Sequence, residues 1–275
     1  MSNSGVTSMQ ELSFVNRLEQ SGDRLSKKEK AIANYLLEHK TQINDLNITS
    51  ISKATGTSNA TVSRLFTKLN YNSFGELKAM VSREDTVESL PSDTVDIIAT
   101  YYKQMINSSL ELIDMKQVTS LVNAIKEARQ VMICGIGNSG LSATELKYRL
   151  TRMGIFADTL TDPHMSLMRT SLLNKEDVLI VLSHTGKTKS VLDTCEVAKE
   201  RQIPIYAVTT HTHTPLTEIA DVILFASKNS VVRDEKFINS QLVTQFVFDI
   251  VCYMLLEDQD FLKNRRQTID FVNRD

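Results

Sequence analysis

Two textures of hydrophobic patterning meet in this chain. Up to about residue 85 the apolar positions recur at helical spacing: in "LSKKEKAIANYLLEH", Leu25, Ile32, Leu36 and Leu37 fall on a common side. Ser26, with Glu29 three residues on, completes a capping box where that helix starts. Two more helical stretches follow, "TVDIIATYYKQMINSSLELI" and "MKQVTSLVNAIKEA", and then the period changes. Short β-branched runs stand at "QVMICG", "IFADTL", "DVLIVLS", "IPIYAVT" and "ADVILFA", with helical segments between several of them, notably 140–153 and 188–201. That alternation predicts a parallel five-stranded sheet covered by helices on both faces, a three-layer α/β domain. Between the textures lies the polar "TVESLPSD", which holds one of only four prolines. The expected organisation is an all-α domain over 1–85, a linker at 86–93 and the α/β domain over 94–275.

Within the helical part, "NITSISKATGTSNATVSRLFTKLNY" reads as two helices joined by a tight turn. Small residues, Ser52 and Ala54, let the helices cross closely, Gly56 supplies the positive φ of the turn, and Ser58 caps the second helix. Val62, Leu65, Phe66 and Leu69 form its inward stripe. The outward face is then Ser58, Asn59, Thr61, Ser63, Arg64, Thr67 and Lys68, short-chained and polar, with two cations and no carboxylate. Such a face suits a major groove: Arg64 can pair with guanine, Asn59 can read adenine or hold a phosphate, and the hydroxyls and Lys68 can grip the backbone. A solvated helix face that happens to lack acids has the same composition. Charge favours the groove, since residues 51–80 carry Lys53, Arg64, Lys68 and Lys78 against the single acid Glu76.

In the α/β part, Gly135, Gly137 and Gly140 of "GIGNSG" satisfy G-x-G-x-x-G between a strand and a helix, and Asp158 follows where a dinucleotide fold places a ribose-binding acid. A second loop, "LSHTGKTKSV", also leaves a buried strand and opens a helix, offering Ser183, Thr185 and Thr188 around Gly186. A Walker A loop would need glycine where Val181 stands. Two hydroxyl-and-glycine loops at the ends of parallel strands point to one phosphate ringed by hydroxyls and amides, which a dinucleotide would leave half unused. The second loop taken alone is equally an ordinary helix N-cap.

Composition narrows the class further. At 275 residues and 41% hydrophobic the chain can fill two cores, and a net charge of −2 excludes a bulk polycation. The opening residues carry no signal-peptide pattern, and the most apolar stretch, "FVFDIVCYMLL", is broken by Asp249 and too short for a membrane span. Cys134, Cys195 and Cys252 stand far apart in apolar contexts, as buried reduced thiols do. A cytoplasmic protein with no membrane partner is expected. His211 and His213 in "THTHTP" lack a third ligand nearby, so no metal is expected there, and no cofactor elsewhere.

These motifs, in this order, resemble the RpiR/MurR family of bacterial transcriptional regulators, and the match covers almost the whole chain. The resemblance implies a helix-turn-helix domain followed by a flavodoxin-like SIS (sugar isomerase) domain that binds phosphosugars. By that resemblance the effector site takes Gly137, Asn138 and Ser139 from the first loop, Ser183, His184, Thr185, Gly186 and Thr188 from the second, and Glu235 of "RDEKFINSQ". Thr57 replaces the usual aliphatic residue after the turn glycine, Asn70 stands where glycine is frequent, and His184 and Thr185 fill places where serine is frequent. The resemblance implies double-stranded operator DNA, a sugar phosphate and a second or fourth copy of the chain as partners. A SIS-type isomerase is the alternative; it would need a base, for which Glu235, His184 and His164 are candidates. The attached DNA reader makes catalysis unnecessary, and no catalytic residue is expected.

Overall fold

A computed structural model describes residues 12–21, 24–84, 93–227, 236 and 241–273. The expected linker therefore lies outside the described residues except for its last member, Asp93. The chain divides into two compact units, Met1–Glu111 with Ser227–Phe237, and Leu112–Ala226 with Ile238–Asp275.

The first unit is helical: α1 (Phe14–Ser21), α2 (Lys27–Glu38), a 3₁₀ segment (Lys40–Asp45), α3 (Ile48–Ala54), α4 (Asn59–Lys68), α5 (Phe74–Glu84) and α6 (Thr94–Leu112). The capping box predicted for α2 is present in both directions between Ser26 and Glu29. Ile32, Leu36, Ile51, Val62, Leu65, Phe66 and Leu69 meet Phe14, Leu77 and Val81 in one core. Most of α6 clusters with this unit, whereas the expected boundary at residue 94 assigned it to the α/β domain.

The second unit runs α7 (Met115–Glu127), β1 (Val131–Cys134), α8 (Asn138–Arg152), β2 (Ala157–Leu160), α9 (Pro163–Thr170), β3 (Val178–Leu182), α10 (Lys189–Glu200), β4 (Ile205–Thr209), α11 (Pro215–Ile219), β5 (Val222–Phe225), α12 (Leu242–Leu255) and α13 (Gln259–Val272). The five strands are parallel in the order β2-β1-β3-β4-β5, and all five were legible as β-branched runs. Alternate residues go to opposite faces. Met132, Cys134, Leu179, Val181, Ile205 and Ala207 pack with Cys195 and Ala198 of α10 and Leu216 of α11. Their neighbours Val131, Ile133, Ile180 and Val208 are just as buried on the other face. The three cysteines are buried free thiols, and burial pushes those of Cys134 and Cys195 up to about 12. Among the described residues no helix is long and apolar enough to cross a membrane.

The sheet order fixes where a ligand can sit. From β1 the chain steps one way to β2 and then the other way to β3, so the crossovers leave β1 and β3 in opposite directions and open a crevice at their carboxyl ends. Both glycine-containing loops emerge there.

Candidate functional site

The first loop is built by its three glycines in two ways. Gly137 takes φ +62 and serves as N-cap of α8 without any side-chain cap. Gly135 and Gly140 are places of close approach: a Cβ on Gly135 would lie 2.5 Å from the Ser139 carbonyl oxygen, and one on Gly140 2.8 Å from the Gly135 oxygen. The backbone of the loop is thereby folded onto the start of α8, whose first-turn amides and dipole favour an anion.

The second loop is pinned from behind. Gly186 takes φ +64, and a Cβ there would overlap the Thr214 hydroxyl. The His184 carbonyl accepts hydrogen bonds from the Thr210 N–H at 3.2 Å and from the hydroxyls of Thr210 and Thr209 at 3.0 and 3.2 Å. His211 Nδ1 lies 2.9 Å from the same carbonyl, which gives "THTHTP" a role in loop architecture. Thr188 occupies the N-cap position of α10, yet its hydroxyl makes no capping bond, so the ordinary N-cap explanation of this loop fails.

Between the loops lies a small recess lined by Ser139, Ser183, His184, Thr209, Thr210, Gln241 and Thr244, with Leu182, Val208 and Ala226 as its apolar part. The structure therefore brings Ser139, Ser183 and His184 of the expected set to one cavity. Gly137, Asn138, Thr185, Gly186 and Thr188 stand on the same two loops outside that lining. Glu235 lies outside the described residues. Thr209 and Thr210 at the end of β4, and Gln241 and Thr244 at the start of α12, were missed. The only hint was the single threonine that ends the "IPIYAVT" run, Thr209, followed by Thr210. Gln241 is held by a short hydrogen bond from the Ser142 hydroxyl of α8. Ser183 is 4% exposed, and its hydroxyl has no hydrogen-bonding partner among the described residues.

Asp158 is not placed to hold a ribose. It is the second residue of the edge strand β2, in register with Met132 and short of the carboxyl end. Its carboxylate accepts from Lys147 at 2.7 Å and from Arg169 at 2.6 Å. Partial burial raises its pKa, but these two cations and the Thr159 amide outweigh that and hold it at about 2. The acid that the dinucleotide reading required is already paired.

In the first unit, α3, the turn at Gly56 (φ +61) and α4 form the expected helix-turn-helix. Ser58 caps α4 by accepting from the Thr61 N–H, and the Ser52 hydroxyl donates to Asn59 Oδ1 at 2.6 Å, tying the two helices together. Thr57 bonds the Thr55 hydroxyl at 2.9 Å, which accommodates a polar residue in an aliphatic place. Asn70 adopts φ +57, the left-handed conformation that glycine would take, so the end of α4 keeps its geometry. Ser58, Asn59, Ser63, Arg64, Thr67 and Lys68 are exposed and Thr61 is half-buried. Lys68, however, is tied back to Glu29 of α2, 2.8 Å from each carboxylate oxygen.

The fold and these two sites define a helix-turn-helix reader of DNA joined to a doubly wound α/β domain with a polar recess at its switch point. Residues 12–88 match the model "Helix-turn-helix domain, rpiR family" and residues 124–251 match the SIS domain. The chain therefore carries a helix-turn-helix domain of the rpiR family followed by a SIS domain. An HTH-type transcriptional regulator of Haemophilus influenzae is 26% identical, covering 94% of this chain and 96% of the relative. One from Clostridium perfringens is 26% identical over 87% of this chain and 91% of its own length. Among solved structures, the Vibrio vulnificus NanR protein complexed with ManNAc-6P is 26% identical with a TM-score of 0.61, covering 94% of this chain and 97% of that one. The sugar isomerase domain of an RpiR transcription factor from Sphaerobacter thermophilus shares the fold, with 22% identity, a TM-score of 0.57 and coverage of 63% and 96%. Relatives that span both domains are regulators, which favours regulation over isomerase chemistry for this chain.

Proposed function

We propose that the recess between the β1 and β3 loops binds the phosphate and first hydroxyls of a sugar phosphate, and that this ligand controls operator binding by α4. One observation carries the reading: Ser183 offers a buried, unpartnered hydroxyl to a recess where two helices begin without side-chain caps. A buried hydroxyl without a partner is costly, and a phosphate oxygen relieves that cost. Ser139 lines the recess beside Ser183, Thr188 stands farther along the second loop with its hydroxyl making no capping bond, and Gln241 and Thr244 face the sugar. Likeness to the NanR complex makes ManNAc-6P the first ligand to try. The reader is the helical unit that carries α4, and the sensor is the α/β unit that carries the recess. Two or four copies of the chain act together in the cytoplasm, reading a palindromic operator, and the ligand relieves repression.

On α4, Arg64 is the base reader. Fluorescence anisotropy on DNA from upstream of its own gene, at fixed salt, tests the whole reading. Specific binding shifted by ManNAc-6P or by one of a panel of hexose phosphates is expected; no shift with any of them sinks the effector. Arg64→Ala should cost ~1–3 kcal/mol of operator affinity and leave ligand binding unchanged.

A further inference from the structure

A buried polar seam runs through the first unit and ends on the recognition helix. Ser227 follows Ala226 of the recess lining, and its N–H donates to Ser109 Oγ of α6 at 3.4 Å. The neighbouring Ser108 hydroxyl donates to Asn16 Oδ1 at 2.5 Å, and Asn16 Nδ2 donates back to the Ser108 carbonyl at 3.1 Å and to the Glu111 carboxylate at 2.8 Å. Glu111 also accepts from the Ser13 N–H at 3.0 Å, so α1 is clasped to α6 at both ends of one helical turn. The residue after Asn16 is Arg17, and both are 0% exposed.

Arg17 holds the end of α4. Its Nε donates to the Leu12 carbonyl at 3.0 Å, and its NH1 donates to the carbonyls of Leu69 and Asn70 at 3.2 and 2.9 Å. Its guanidinium lies 4.1 Å from the Tyr71 ring centroid. Leu69 is the C-cap of α4, so a cation sits on the negative end of the recognition helix and satisfies carbonyls that the helix cannot. Apolar side chains of similar volume would fill this space at least as well. Paired donors and acceptors instead fix one register of α6 on α1 and of α1 on α4.

We propose that Asn16 and Arg17 are positioning residues of the DNA reader, and that the Ser227–Ser109 bond is the input through which an occupied recess resets them. The input half rests on the phosphosugar reading above; the positioning half does not. A ligand in the recess acts on Ala226, the next residue carries the displacement to α6, and α6 slides on α1. Arg17 then shifts its grip on the end of α4. The ligand can move this equilibrium only as far as it binds the two settings differently.

Two measurements on the full chain separate the halves. Without ligand, hydrogen exchange should rise at least about threefold at the amides of Leu69, Asn70 and Tyr71 in Ser108→Ala and Ser109→Ala, with α10 unaffected. Unchanged exchange at those amides in both variants overturns the positioning of α4 by the seam. With ligand, calorimetry on Ser109→Ala should give wild-type affinity for whichever sugar phosphate shifts the wild type. The shift in operator Kd, about 5- to 150-fold for a coupling of ordinary size, should fall below about a quarter of the wild-type factor. A full ligand-induced shift in Ser109→Ala overturns the input. Asn16→Ala, if it folds, should lose the shift as well, and Asn16→Gln should restore part of it. If no sugar phosphate binds the wild type, the effector reading and the input fall together, and hydrogen exchange alone decides the positioning half.

Discussion

The outward face of α4 and the lining of the recess differ in what their polar side chains do before any ligand arrives. On α4 they are occupied locally: Asn59 accepts from Ser52, Arg64 Nε donates to the Ala60 carbonyl at 3.3 Å, the Thr67 hydroxyl donates to Ser63, and Lys68 pairs with Glu29. In the recess, Ser183 is buried with no partner among the described residues. An exposed reader exchanges a weak local bond for one to a base or phosphate in water, where the net difference is small and the gain comes from geometry and charge. The Ser183 hydroxyl is given no partner by the fold itself, so a ligand oxygen supplies a bond that the described residues do not. On the function proposed above, specificity on the DNA side rests on the geometry of the α4 face, and affinity on the sugar side on the hydroxyl that the fold leaves without a partner.

The comparison breaks most visibly at Gly135. In Gly135→Ala the new Cβ would meet the carbonyl oxygen and carbon of Ser139 at 2.5 and 2.7 Å, so the first loop must peel away from α8. A loss of ~3 kcal/mol in the stability of the sensor unit is expected, together with its ligand binding, because overpacking against backbone has no flexible neighbour to yield. Chemical denaturation and calorimetry on the full chain check this; wild-type stability would mean that the loop is not packed against the helix. Ser183→Ala sharpens the contrast with opposite signs in two measurements. Without ligand the protein should gain ~1 kcal/mol, since a buried unpaired hydroxyl is removed. Sugar-phosphate affinity should fall by ~1.5–3 kcal/mol, the range for a hydrogen bond to a charged group. A variant that loses stability as well would show that Ser183 already has a partner in the free protein.

Much of this was legible along the chain because it is local. The stripe Val62, Leu65, Phe66 and Leu69, the capping box and the five strand runs each depend on neighbours within a few residues, and all appear as the spacing predicts. The loops were legible for the same reason, since glycine and hydroxyl residues directly after a strand announce themselves. What escaped is long-range. Gln241 lines the recess and accepts from Ser142, 99 residues away, a pairing that nothing nearby in sequence announces. Asp158 has the right spacing for a ribose acid, and only the register of β2 against β1 reveals that it stands mid-strand beside two cations. Nothing near Arg17 in sequence announces carbonyl partners 52 and 53 residues on.

Lys68 is the smallest and most pointed test, because sequence and structure give it different work. Its place on the outward face makes it a phosphate contact, while its ammonium lies 2.8 Å from Glu29, whose side chain is 6% exposed. Burial alone would raise the Glu29 pKa, but the Lys68 ammonium and the Ser26 amide and hydroxyl more than offset it and hold the carboxyl below its ordinary value of 4.5. A depressed carboxyl contributes stability above its unfolded pKa and loses it as pH falls through the folded one. The Lys68 side chain is 45% exposed, so solvent screens the pair and Lys68→Met should cost only ~0.5–1 kcal/mol at neutral pH. That difference should shrink as pH drops below 4.5 and vanish once Glu29 is protonated in the folded state. If Lys68 serves the fold, the salt dependence of operator binding is the same in Lys68→Met as in the wild type. A slope reduced by about one unit would instead mean that Lys68 leaves Glu29 for a phosphate when DNA binds. The capping box of α2 would then loosen each time the operator is occupied, and Glu29 would titrate closer to its ordinary value in the complex than in the free protein.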